Sequence, residues 1–134
     1  QRSGVIINMS SNVGLSGCPL RSPYAASKWA AIGLAKTWAM ELGPWNIRVN
    51  ALCPGSVSGP RIEGVIHRDA EARGLAPEDI RRVYQRQGSL RQFTDPEDIA
   101  AMVCFLAGPG GKQVSGQAIA IDGHTESLAN WLDP

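Results

Sequence analysis

Tyr24 and Lys28 stand four residues apart in a stretch with no proline after Pro23, a spacing that places two side chains on one helix face, one turn apart. A phenol ionises near about pH 10, and a neighbouring ammonium favours the phenolate, so the pair suits proton transfer closer to neutral pH. Given the few tyrosines and lysines present, the spacing arises by chance about one time in twenty. Taken alone, it reads as a surface tyrosine beside a solvated lysine. Ser11 changes the weighing. It follows a short apolar run, at the end of a strand where open parallel sheets bind ligands. A hydroxyl there can hydrogen-bond an oxygen that Tyr24 also reaches. Pro54 and Gly55 hold the corresponding place after a second strand, with Val57 and Ser58 beyond.

The elements that must position these groups follow from the apolar pattern. Gly4 to Ser10 is rich in β-branched residues and reads as a strand buried on both faces. Ser11 to Pro23 is loop, broken by Gly14, Gly17 and Pro19. Tyr24 to Leu42 carries apolar residues at helical spacing for about five turns. Gly43-Pro44 ends it, with glycine expected in the left-handed cap. Ile47 to Leu52 alternates as the next strand. Ser56 to Arg91 is charged, with ten Lys, Arg, Asp or Glu between Arg61 and Arg82, and predicts two short solvated helices. Asp95-Pro96-Glu97-Asp98 announces a further helix through its cap, its first-turn proline and its acids. The body of that helix, Ile99 to Ala107, is almost wholly apolar and is expected to be buried. Gln117 to Ile121 is a last short strand. Strands alternating with helices predict an α/β fold on a parallel sheet.

Composition narrows the function classes. The 134 residues carry 13 Lys+Arg against 12 Asp+Glu, a formal net charge of +1, which gives no excess to neutralise a nucleic-acid backbone. The longest uncharged apolar stretch, Ile99 to Gly108, is about half of the ~20 residues that cross a membrane. Cys18, Cys53 and Cys104 are odd in number and widely spaced, which fits neither a disulfide framework nor a metal clip and suggests a reducing, cytoplasmic setting. His67 and His124 lack partners at metal spacing, so no metal is expected. The chain opens on Gln1 and runs almost at once into a strand, and three strands leave a sheet edge open. Both features suggest a piece of something longer.

Three motifs in order carry a family resemblance: Asn8-Met9-Ser10-Ser11, Tyr24-Ala25-Ala26-Ser27-Lys28 and Arg48-Val49-Asn50-Ala51-Leu52-Cys53-Pro54-Gly55. With Tyr24 thirteen residues on from Ser11, and with Gly116-Gln117 and Asp122-Gly123 near the end, they resemble the C-terminal half of a short-chain dehydrogenase/reductase. The likeness covers nearly the whole chain. It implies half of a Rossmann-like, doubly wound parallel sheet within one domain spanning 1–134, with a substrate lid at about 59–91. It implies NAD or NADP as cofactor and a small carbonyl or alcohol substrate. Tyr24 would be the general acid or base, Lys28 would hold the nicotinamide ribose and lower the Tyr24 pKa, and Ser11 would bind the substrate oxygen. Tyr24, Lys28, Pro54, Gly55, Val57 and Ser58 would line the cofactor, with Val57 meeting the nicotinamide carboxamide through its backbone and Ser58 standing where the family often has threonine.

The departures are as informative. The family's glycine-rich phosphate loop, the residue that selects NAD or NADP and a further catalytic asparagine have no counterpart in these 134 residues. Gly108 to Gly111 follows a helix rather than a strand, so it reads as a connection and not a phosphate cradle. The expectation is that this chain alone turns nothing over. Trp29 and Trp38 are read as packing a helix–helix interface of a homodimer or homotetramer, Cys53 as a buried inert thiol, and Arg61 or Arg68 as suited to an acidic or polar substrate. Within the oxidoreductase reading, a 3-oxoacyl reductase-like activity and a small alcohol or sugar dehydrogenase both stay open. The alternative from another class is a non-catalytic fragment or partner subunit that keeps only the oligomer interface.

Overall fold

A computed structural model describes residues 2–128 and orders them as strand, helix, strand, three helices and strand. The strands are β1 (Gly4–Met9), β2 (Ile47–Pro54) and β3 (Ala118–Ile121). They form one parallel sheet in the order β1-β2-β3. Met9 lies opposite Leu52 and Pro54 opposite Ile121, so all three strands finish at the same edge. The α/β architecture predicted from the alternation is therefore present.

The helix α1 (Ser22–Leu42) covers one face of the sheet. Pro23 in its first turn fits the positions where no intrahelical donor is needed. Ile32 and Ala35 of α1 form a buried cluster with Val49, Ala51 and Cys53, the alternate residues of β2. The intervening residues of β2 face the other way, toward α4 (Pro96–Ala107). There Arg48 donates to the Leu106 carbonyl in the last turn of α4, where a positive charge offsets the helix dipole, and to Val114 O at 3.1 Å. Asn50, wholly buried, donates to Val114 O at 2.9 Å and accepts from Gln117 N at 3.0 Å. This side chain fastens the segment entering β3 onto the middle of the sheet. At the start of α4 Asp95 is the N-cap residue, as predicted, and the Asp98 carboxylate accepts from its backbone N–H at 3.0 Å as part of a capping box.

The helices α2 (Pro60–Arg73) and α3 (Pro77–Gln85) form a hairpin outside this core. Ile62, Ile66, Ala70 and Ile80 bury one another, with Tyr84 and Phe93 against them. The hairpin thus has a small apolar centre of its own, and its charged residues pair on its surface, Arg81 with Glu63 and Arg73 with Asp69.

Four expectations need correction. The body of α4 is mostly exposed: only Leu106 is buried and Phe105 is half-exposed, because among the described residues this apolar helix has little packed on its outer side. For the same reason β1, an edge strand here, is half-buried rather than covered on both faces. Gly43 is right-handed (φ −52), and the left-handed residue is Asn46 (φ 57), because a 3-10 turn at Gly43–Trp45 extends α1 before the chain reverses. Trp38 packs against the sheet cluster while Trp29 stands exposed, since nine residues along a helix turn a side chain to the opposite face. Among the described residues no helix is long and apolar enough to cross a membrane.

Two outcomes follow. Asn50→Ala removes both bonds, leaving Gln117 N without this partner and Val114 O with Arg48 alone, so it should destabilise the fold by about 2 kcal/mol in urea unfolding; an unchanged midpoint would remove Asn50 from this role. Burial also pushes the Cys53 thiol up from its ordinary value, which keeps it protonated and unreactive. A disulfide reagent at mildly alkaline pH should therefore label exposed Cys104 quickly and Cys53 only after unfolding.

Candidate active site

The common edge where β1 and β2 end opens into a cleft of about 560 Å³. The backbone of Ser10 continues the ladder by donating to Leu52 O at 2.7 Å, and its hydroxyl donates to Lys28 O at 2.8 Å, so the exit of β1 is tied to the first turns of α1. Gly14 completes that junction. A Cβ there would meet Ser10 Oγ at 2.6 Å and Lys28 O at 2.9 Å, so only glycine lets the loop lie against the helix.

Ser11, Tyr24 and Lys28 all line the cleft. Ser11 is buried; its hydroxyl donates to Asn12 Oδ1 at 3.2 Å and accepts from Val13 N at 3.2 Å. Tyr24 occupies the third position of α1 and is half-buried, and its phenol has no hydrogen-bond partner among the described residues. One turn on, the Lys28 ammonium lies 5.5 Å from the centre of the Tyr24 ring and donates to Met9 O at 3.3 Å. An ammonium has three donors, so two remain for a ligand. The arrangement brings an unpaired phenol, a second hydroxyl and an ammonium to one concave surface.

The exit of β2 forms another wall. Gly55 N donates to Ile121 O at 3.0 Å, and a Cβ on Gly55 would lie 2.8 Å from the Asp122 Cβ, so glycine is required where the exits of β2 and β3 pass. Val57 pairs with Thr94 through its neighbours, Ser58 N to Thr94 O and Thr94 N to Ser56 O, both at 2.9 Å. The N–H and C=O of Val57 itself therefore have no partner among the described residues, and Val57 lines the cleft. The Ser58 hydroxyl donates to the Asp95 carboxylate, so what it offers a ligand is its lone pairs. Pro54, Gly55, Val57 and Ser58, predicted as one wall, do share the cleft.

Sequence reasoning missed the support beneath Ser11. Asn12 is buried and donates to Thr125 Oγ1 at 2.9 Å, and Thr125 donates to the Asp122 carboxylate. This chain joins the exit of β1 to the turn after β3 across more than a hundred residues, and no local pattern signals it. It also missed Tyr84 of α3, which lines the cleft half-buried. Burial first, then the nearby Asp69 carboxylate, push the Tyr84 phenol up, so it stays protonated.

Comparison with known proteins agrees with this geometry. A family model described as enoyl-(acyl carrier protein) reductase matches residues 1–124. A 3-oxoacyl-[acyl-carrier-protein] reductase of Thermotoga maritima is 42% identical over 123 residues, which is 92% of this chain and 46% of that protein. A short chain dehydrogenase family protein from Francisella tularensis superposes with a TM-score of 0.84 at 28% identity, over 89% of this chain and 49% of that one. An actinorhodin polyketide ketoreductase solved with NADPH gives a TM-score of 0.85 at 31% identity, over 97% of this chain and 49% of that one. The chain spans about half the length of the curated relatives it matches. In sequence and fold, this chain belongs to the short-chain dehydrogenase/reductase family.

Proposed function

We propose that the chain carries the reacting end of an NAD- or NADP-dependent oxidoreductase that interconverts a secondary alcohol and a ketone. The observation that carries this reading is the convergence of Ser11, Tyr24 and Lys28 on one cleft, with the Tyr24 phenol unpaired and the Lys28 ammonium beside its ring. The unpaired N–H and C=O of Val57 match the acceptor and donors of a carboxamide, which is the fit that a nicotinamide needs. Pro54 and Gly55 would flank that ring, the lone pairs of Ser58 would take a further carboxamide hydrogen, and the two spare donors of Lys28 would hold ribose hydroxyls.

When bound, the nicotinamide supplies or accepts the hydride. The residues of this chain supply the rest. For reduction, the Ser11 hydroxyl turns from Asn12 Oδ1 to donate to the substrate oxygen, and Tyr24 donates to the same atom from the other side. As hydride reaches the carbonyl carbon, the C=O π electrons become the new O–H bond and Tyr24 gives up its proton. The ammonium of Lys28 offsets the negative charge left on the phenol oxygen. The product is the alcohol, and the phenolate regains a proton from water. Oxidation runs the same steps backwards.

In this reading the hairpin of α2 and α3, within 59–91, acts as a lid. Its apolar centre lets it move as one piece, and Arg61, Ile62 and Tyr84 reach into the cleft. The exposed Trp29 and Met40 of α1 support assembly as a homodimer or homotetramer, and a cytoplasmic setting suits three free cysteines. The substrate is a small carbonyl compound or alcohol, and nothing in the cleft asks for nucleic acid or membrane.

Tyr24→Phe, made in the protein as its source produces it, should lower ketone reduction by about a hundredfold to ten-thousandfold while cofactor binding persists. Unchanged turnover would contradict the role of Tyr24. The 134 residues by themselves contain no glycine-rich phosphate loop, so they should oxidise no NADH or NADPH above background. Turnover by this chain alone would contradict that expectation.

A further inference from the structure

The cleft is electrically one-sided. Among the described residues its charged lining consists of Arg21, Lys28 and Arg61, with no aspartate or glutamate, although the chain as a whole holds 12 acids against 13 lysines and arginines. Lys28 is accounted for by Met9 O and the Tyr24 ring. The two arginines are not. Among the described residues neither guanidinium has an ion-pair or hydrogen-bond partner, whereas Arg48, Arg73, Arg81, Arg82 and Arg91 are all engaged.

Neither charge is placed to stabilise the fold. Arg21 precedes the first turn of α1 and Arg61 lies within the first turn of α2, the ends where the helix dipole disfavours a cation. Arg21 is three residues from Tyr24 and lines the same cleft. It shares that cleft with Tyr84 of α3, in the hairpin that carries Arg61. Two guanidiniums from different elements, each with a planar fork of free donors, thus face the same space as Ser11 and Tyr24.

We propose that the substrate is an oxyanion-bearing ketone or alcohol, and that Arg21 and Arg61 bind its carboxylate or phosphate while its carbonyl lies between Ser11 and Tyr24. This rests on the oxidoreductase reading above and specifies its substrate class. Because the hairpin brings Arg61, the anion also draws the lid over the reacting centre. A neutral sugar alcohol or diketone leaves both guanidiniums without partners and binds more weakly.

The test uses the protein as its source produces it. Its substrates are oxo acids of increasing chain length with their methyl esters, and oxoalkyl phosphates with their neutral alcohols. Turnover is measured for wild type and for the Arg21→Gln/Arg61→Gln double variant, and binding of the same acids and phosphates by calorimetry. Both arginines are exposed and unpaired, so the variant loses no internal contact. Charge-assisted hydrogen bonds predict about a tenfold rise in KM per arginine, about a hundredfold together. Wild type should prefer the charged member of a pair, and the double variant should lose that preference with the KM for cofactor and the turnover of the neutral member unchanged. A carboxylate preference and a phosphate preference both sustain the proposal and tell the two sources apart. Equal use of charged and neutral members, or a preference that survives in the double variant, overturns it and leaves the oxidoreductase reading intact. If nothing is turned over, the oxidoreductase reading fails, and calorimetry decides the anion site: binding abolished in the double variant sustains it, and no binding by wild type overturns it.

Discussion

The parallel register of β1 on β2 is the constraint on which the site depends. Because Met9 lies opposite Leu52 and both strands run the same way, Ser10-Ser11 leaves the sheet beside Cys53-Pro54, at one edge. A slip of one residue would reverse every side chain of β1. Ile6 would leave the cluster under α1, and Ser10 would lose its bond to Lys28 O. The buried face thus enforces the register, and the register enforces where the hydroxyl of Ser11 emerges. Packing energy and chemistry are linked through this one alignment.

A second layer of ties fixes the helix against those exits. The close approach permitted by Gly14 lets the loop after β1 rest on α1, so Tyr24 and Lys28 reach the cleft from a helix held at its first turns. Asn50 and Arg48, on the opposite face of β2, hold the segment before β3 and the end of α4 in place. Asn12, Thr125 and Asp122 then join the exits of β1 and β3. Ser11, Tyr24 and Lys28 are thus carried by tied backbone, while the α2–α3 hairpin has a separate small core.

Local signals were the ones legible in the sequence. The four-residue spacing of Tyr24 and Lys28, the strand before Ser11 and the Asp95-Pro96 start of α4 each lie within one element and follow from backbone geometry. The parallel sheet followed from alternation. What a single sequence hides is what other elements do to a residue. An apolar run such as Ile99 to Ala107 reads as core, yet its exposure depends on what packs on it. Gly43 reads as a left-handed cap, but the chain delays its reversal to Asn46. The bond from Asn12 to Thr125 and the unpaired guanidiniums of Arg21 and Arg61 depend on which residues meet in space, and residue type alone does not reveal them.

The most direct test of the account is an experimental structure of the protein, as its source produces it, with a nicotinamide cofactor and a substrate analogue bound. The carboxamide is expected on the backbone of Val57, the ribose hydroxyls on Lys28, and the analogue's oxygen between Ser11 and Tyr24. A nicotinamide ring bound away from this cleft, or an analogue that touches neither hydroxyl, would contradict it.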